Sequence, residues 1–158
     1  MKIKDIIDTD FINYKKIAMY IAFPKCSFKC DKEYGCNICQ NSQLAKEKDI
    51  IIEPKSIVNR YEANPLTKAI VVGGLEPFDS FSDLLKLVKE IRCVTDDDII
   101  IYTGYTETEI YVEVYKILAQ YKNIIIKFGR YIPNQKKHFD ELLGVYLASD
   151  NQYGVKIS

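Results

Sequence analysis

Four apolar runs, at residues 17–23, 69–72, 99–102 and 124–128, punctuate the chain. Each is nearly continuous rather than alternating, which is the pattern of a strand buried on both faces. The segments between them carry helical period. Pro54 opens a helix with Ile57, Val58 and Tyr61, ended near Asn64-Pro65. Asp79 or Ser80 can cap a second helix, whose Phe81, Leu84, Leu85, Val88 and Ile91 fall on one face. Thr106 and Glu109 have capping-box spacing and head a third stripe, Ile110, Val114, Ile117, Leu118 and Tyr121. Short strands at 145–148 and 155–157 fit the more irregular end.

Apolar strands alternating with helices predict a parallel sheet joined by right-handed crossovers. A full eight-stranded barrel takes about 250 residues. The 158 residues here supply five or six strands, so the expected fold class is α/β, a partial open (β/α) barrel of mostly parallel strands forming one domain over 1–158. Lys plus Arg and Asp plus Glu both number 22, a balance that favours neither nucleic acid nor an anionic membrane. The longest apolar run is far too short to span a bilayer, and the start, Met1-Lys2-Ile3-Lys4-Asp5, has no secretory h-region. A cytoplasmic protein is expected, where thiols stay reduced. Five cysteines, four of them between Cys26 and Cys39, then suggest a metal or redox site rather than disulfides.

In such folds sites form just beyond the carboxyl ends of the strands. There the sequence places the cysteine loop (24–41), then Gly73-Gly74-Leu75-Glu76-Pro77, Thr103-Gly104-Tyr105-Thr106, and Gly129-Arg130-Tyr131. Four thiolates from Cys26, Cys30, Cys36 and Cys39 could fill a tetrahedral zinc site. Alternatively, three could hold three irons of a [4Fe–4S] cluster and leave the fourth open to a chelating amino acid. The glycine pair supports the second reading. It lets a ligand approach bare backbone, with carbonyls able to accept from an ammonium and Glu76 adding a carboxylate.

Cys26-x3-Cys30 after the first strand, Ile38-Cys39 downstream and the Gly-Gly-x-Glu-Pro turn together resemble the radical S-adenosylmethionine superfamily. Within it, the chain is similar to the activating proteins of anaerobic ribonucleoside-triphosphate reductases. Cys39-Gln40-Asn41, Tyr102-Thr103-Gly104-Tyr105-Thr106 and the ending around Ser149, Asn151 and Gln152 carry that likeness, from about residue 8 to residue 157. The family pattern is C-x3-C-x2-C, whereas eight residues separate Cys30 from Cys39 here, so the loop has gained about residues 31–36. Cys39 keeps the family register. Cys36 could be a spare thiol, an alternative ligand or half of a zinc site.

The resemblance implies that Cys26, Cys30 and Cys39 hold the cluster. It places Ile38 near the adenine of S-adenosylmethionine, with Gln40, Gly73, Gly74 and Glu76 as further cofactor-binding residues. One electron from the cluster would cleave the sulfonium to give a deoxyadenosyl radical, which takes hydrogen from a glycine of the anaerobic ribonucleotide reductase large subunit. The electron would come from a donor such as flavodoxin or ferredoxin. Two rival readings are a small-molecule radical enzyme such as a deazaguanine synthase, and a non-catalytic zinc-binding interaction module. Cys93 is expected to pack in the core and His138 to lie at the surface. Asp96-Asp97-Asp98 reads as a solvated turn, and Arg130 either meets an anion or lies at the surface.

Overall fold

The computed structural model describes all 158 residues. In chain order the strands are β1 (Lys2–Ile3), β2 (Asp5–Asp10), β3 (Ala18–Phe23), β4 (Ile50–Ile51), β5 (Ala69–Gly74), β6 (Asp98–Tyr102), β7 (Ile124–Phe128), β8 (His138–Asp140), β9 (Val145–Leu147) and β10 (Tyr153–Lys156). The helices are α1 (Lys29–Tyr34), α2 (Ser42–Lys46), α3 (Pro54–Glu62), α4 (Phe81–Arg92) and α5 (Val112–Leu118).

The central sheet has the order β10-β7-β6-β5-β3-β2 and is open. Its inner four strands run parallel, while β2 and β10 are antiparallel edges. The fold is therefore α/β with a mixed, mostly parallel sheet. Every residue of β5 and β7 is buried, as suits strands that are apolar throughout except for Lys127. Alternate residues serve different faces. Met19, Ile21, Phe23, Ile70, Val72, Ile99, Ile101, Ile124, Ile126 and Phe128 pack under α3, α4 and α5 through Ile57, Val58, Leu84, Leu87, Val88, Ile91 and Leu118. Each of these fully buried side chains contributes about 1.5–3 kcal/mol of transfer free energy, which makes this face the stabilising core.

The opposite face carries no helix. Ala18, Ala69, Val71, Ile100 and Ile125 meet Tyr14, Leu143 and Leu147, contributed by the segment after β2 and the β8–β9 hairpin. Toward the carboxyl ends of the strands, that face leaves room for a cavity.

Several elements differ from the sequence expectation. The Thr106/Glu109 capping box forms, but it caps a single 3₁₀ turn, Glu107–Glu109. Ile110 and Tyr111 then run extended, and α5 starts only at Val112. Cys93 is exposed at the end of α4, where its Sγ donates to the Lys89 carbonyl, rather than packing in the core. The three aspartates are tied down rather than merely solvated. Asp96 pairs with Lys122, Asp97 accepts from Tyr61, and Asp98 accepts from Tyr14 and Lys16. No helix is long and apolar enough to cross a membrane.

Candidate iron–sulfur site

The cysteine loop leaves β3 through Pro24 and Lys25. Cys26 Sγ accepts from the Phe28 N–H at 3.2 Å, and Phe28 itself, at φ 51°, turns the chain into α1. Gly35, in the left-handed conformation at φ 68°, ends that helix and sends the chain back. On the return, the N–H groups of Ile38 and Cys39 both donate to Asp31 Oδ1 at 2.9 Å. Asn41 Nδ2 then donates to the Gly74 carbonyl, which ties the loop to the end of β5. Residues 31–36 thus form an outward excursion with a closed neck, and Cys30 and Cys39 come to stand beside each other.

Burial pushes the Cys26 thiol up to about 12, with the charges of Glu76 and Cys30 acting the same way. Burial and the neighbouring Cys39 raise the Cys30 thiol too. A bare thiolate is costly at such a position, and a metal that binds the sulfur removes that cost. Cys36 is exposed, whereas the other three are half-buried.

The turn after β5 is zipped onto the same loop. Leu75 N–H donates to the Phe23 carbonyl and Glu76 N–H to the Lys25 carbonyl at 2.7 Å. Glu76 is 4% exposed. Its Oε1 accepts from Thr103 Oγ1 at 2.8 Å and Phe78 N–H at 3.2 Å, and its Oε2 from Gly104 N–H at 2.9 Å. Burial raises this carboxyl to about 7 against those three hydrogen bonds, which favour the ionised form. Because donors face both oxygens, Glu76→Gln must point an amide N–H₂ at a donor. The expected result is a loss of about 1–3 kcal/mol in urea unfolding without a change of slope, and an unaltered midpoint would show the carboxylate to be dispensable to the fold.

Asp79, one turn on, accepts from Ser27 N–H at 2.6 Å and from the Tyr105 hydroxyl. Arg130 and Lys29 both pair with Glu109, and Arg130 Nε stands 3.4 Å from Glu33. The Arg130 hydrogen bond comes first among the causes that hold the Glu109 carboxyl near 2. Lys29 also lies 4.2 Å over the Tyr105 ring. Through these contacts the loops after β5, β6 and β7 grip the cysteine loop.

A cavity of about 340 Å³ opens at this rim, on the helix-free face. Cys26, Cys30 and Cys39 line it together with Gly74, Glu76, Gly104, Tyr146 and Leu147. Lys127 and Arg130 add two cations. Lys127 is 6% exposed, donates to the Gly129 carbonyl at 2.9 Å, and is pulled down to about 7 by burial. Arg130 Nε is buried without a hydrogen-bond partner.

Of the residues singled out in the sequence, Cys26, Cys30, Cys39, Gln40, Gly74 and Glu76 meet at this cavity. Ile38 and Gly73 do not line it. Gly73 lies beneath Tyr20 and Tyr102, where a Cβ would stand 3.1 Å from the Tyr20 hydroxyl. Lys127 was not anticipated, although a lone Lys in Ile-Ile-Ile-Lys-Phe is a readable signal. Period-2 alternation puts it on the face opposite Ile124, Ile126 and Phe128. Asp79 and Tyr105 join distant segments, and Asp31 closes its own loop through backbone N–H groups, so none of these contacts leaves a pattern in the sequence.

No three His, Cys, Asp or Glu side chains are grouped tightly enough to cage a single metal ion. Three soft donors lining one cavity suit instead a cluster whose thiolates bind separate irons. An α/β sheet with thiols gathered at the carboxyl ends of its parallel strands defines a metal-thiolate protein. Its family is narrower: the model of the 4Fe-4S single cluster domain matches residues 16–152, and the chain belongs to that family. No curated protein and no solved structure matches it.

Proposed function

We propose that the chain is a single radical S-adenosylmethionine domain of the partial-barrel type that installs a glycyl radical on an anaerobic ribonucleotide reductase. The observation that carries this reading is the meeting of Cys26, Cys30 and Cys39 with Gly74 and Glu76 around one cavity, Cys36 being excluded. Cys26, Cys30 and Cys39 would hold a [4Fe–4S] cluster by three thiolates, leaving one iron free for an amino acid's amine and carboxylate. The bound cluster and S-adenosylmethionine supply one-electron cleavage of the sulfonium, fed by a flavodoxin- or ferredoxin-type donor.

The chain's own residues then have separable tasks. The three cysteines hold the cluster, and the bonds from Asn41 and Glu76 fix its loop to the sheet. The Glu76 carboxylate and the end of β5 offer acceptors to an ammonium. Gln40 lines the same cavity, and Gly73 packs against Tyr20 and Tyr102, which also line it. Tyr20, Tyr102 and Leu147 restrict water on the remaining sides.

The volume favours a macromolecular substrate. At about 340 Å³ the cavity lies at the low end of ligand pockets, roughly 300–1,000 Å³, and a drug-sized ligand fills it. A partner's loop can bring its glycine to the open mouth without needing a pocket of its own. Mixing the anoxic, reduced protein and S-adenosylmethionine with the candidate reductase should give a glycyl doublet in electron paramagnetic resonance, erased by Gly→Ala in the reductase loop. Deoxyadenosine formation without that doublet would retain the cofactor chemistry and reject the partner.

A further inference from the structure

The inserted turn raises a geometric problem. Two cysteines that must bind one cluster are separated by eight residues, and nothing in that length by itself brings them together. The structure contains one device that does. Asp31 directly follows Cys30, and its Oδ1 accepts the N–H of Cys39 and that of Ile38, each at 2.9 Å. One carboxylate oxygen therefore joins both ends of the excursion. The α1 helix is oriented for the task. Lys29 and Glu33, four apart and on one face, reach Glu109 and Arg130 on the sheet rim. Asp31 lies two residues from each, about 200° around the helix, and so faces the returning limb. Gly35 supplies the left-handed residue that reverses the chain. The rim contacts fix the helix, the helix aims Asp31, and Asp31 holds the Cys39 backbone.

We infer that Asp31 is a positioning residue for the cluster, clamping the neck of the inserted turn so that Cys39 stands beside Cys30 as a ligand. The inference rests on reading Cys26, Cys30 and Cys39 as the ligands. It goes beyond that reading because it assigns a task to the insertion, whose own cysteine, Cys36, points into solvent. Asn at this position keeps one acceptor oxygen, whereas Ala keeps none, and the two variants separate the clamp from mere bulk.

The test has two readouts. In the metal-free protein, amide hydrogen exchange at Ile38 and Cys39 should quicken about tenfold in Asp31→Ala and stay near the original rate in Asp31→Asn, because hydrogen bonds to a charged acceptor hold those amides. In the anoxically reconstituted protein, loss of iron to a chelator should quicken about tenfold in Asp31→Ala, with rescue in Asp31→Asn. Unchanged exchange in Asp31→Ala, with normal cluster assembly, overturns the inference alone. Faster exchange with iron retained as in the original protein also overturns it, since the ordered neck would then not matter to the cluster. If the unmodified chain takes up no iron, or Cys39→Ala keeps its cluster, the inference falls together with the ligand reading.

Discussion

After anoxic reconstitution with iron and sulfide, Cys26→Ala, Cys30→Ala and Cys39→Ala are each expected to emerge from desalting with essentially no cluster, whereas Cys36→Ala keeps most of it. The three sensitive thiols line one cavity and the insensitive one is exposed. A three-thiolate site has no spare ligand, so removal of any one leaves an iron to water and to buffer thiols. Iron and sulfide analysis with the visible absorbance measures the outcome. Cluster loss in Cys36→Ala with survival in Cys39→Ala would exchange the roles of the two residues.

The next largest effect is expected at Gly74, and it falls on folding before it falls on the cofactor. Gly74 has φ +80°, and a Cβ there would stand 2.8 Å from both Cα and Cβ of Ala22 on the neighbouring strand. A left-handed conformation costs an L-residue roughly 1–2 kcal/mol, and forcing a side chain against packed backbone costs about 1–3 kcal/mol more. Gly74→Ala should therefore lose about 3 kcal/mol and Gly74→Val more, since branching at Cβ worsens both terms. For a chain of this length the melting temperature should fall by about 6–12 °C for the Ala variant. A Gly74→Val protein that melts with the original one but binds S-adenosylmethionine weakly would assign the glycine to the ligand instead. The clash with Ala22 shows that the glycine is already required by how β3 and β5 pair, at the register Phe23↔Gly74.

The parts of the fold that were legible are those with strong burial. The four inner strands are nearly continuous apolar runs, broken only by Asp98 at the start of β6 and Lys127 in β7, and α3 and α4 carry clear stripes, because their burial leaves composition little freedom. Of the edges, β10 was read in part, as a short strand at 155–157, but β2 was not. Asp-Ile-Ile-Asp-Thr-Asp in β2 looks like a polar linker, and its pairing with β3 is set by the partner strand and interrupted by an irregularity between Ile7 and Asp10. An edge strand tolerates charge, so its sequence resembles a loop. The antiparallel direction of β10 depends on the path of the chain after β7, not on any residue of the strand itself.

At the site, the thiols and the Gly-Gly-x-Glu-Pro turn were legible because they are contiguous in sequence. Lys127 was legible in principle from its register within β7. The Lys29–Glu109–Arg130 contacts and the Asp79–Tyr105 pair were not, since each joins loops that only the sheet brings together. Thr106 and Glu109 made their box as their spacing predicts, yet the following helix began later, because Ile110 is drawn into the core in an extended conformation.

The closed neck of the cysteine loop has a consequence for how such loops vary. Lengthening a flexible loop from two intervening residues to eight is two doublings, and each doubling adds about 0.6 kcal/mol to the entropy of closing it. A single backbone hydrogen bond to a carboxylate contributes about 1.5–3 kcal/mol, which is as much or more. Extra residues can therefore accumulate on the solvent side of a cluster loop whenever one of them turns an acceptor inward. What natural variation must preserve is the separation between the ends of the loop, while the number of residues between the second and third cysteines is free to drift.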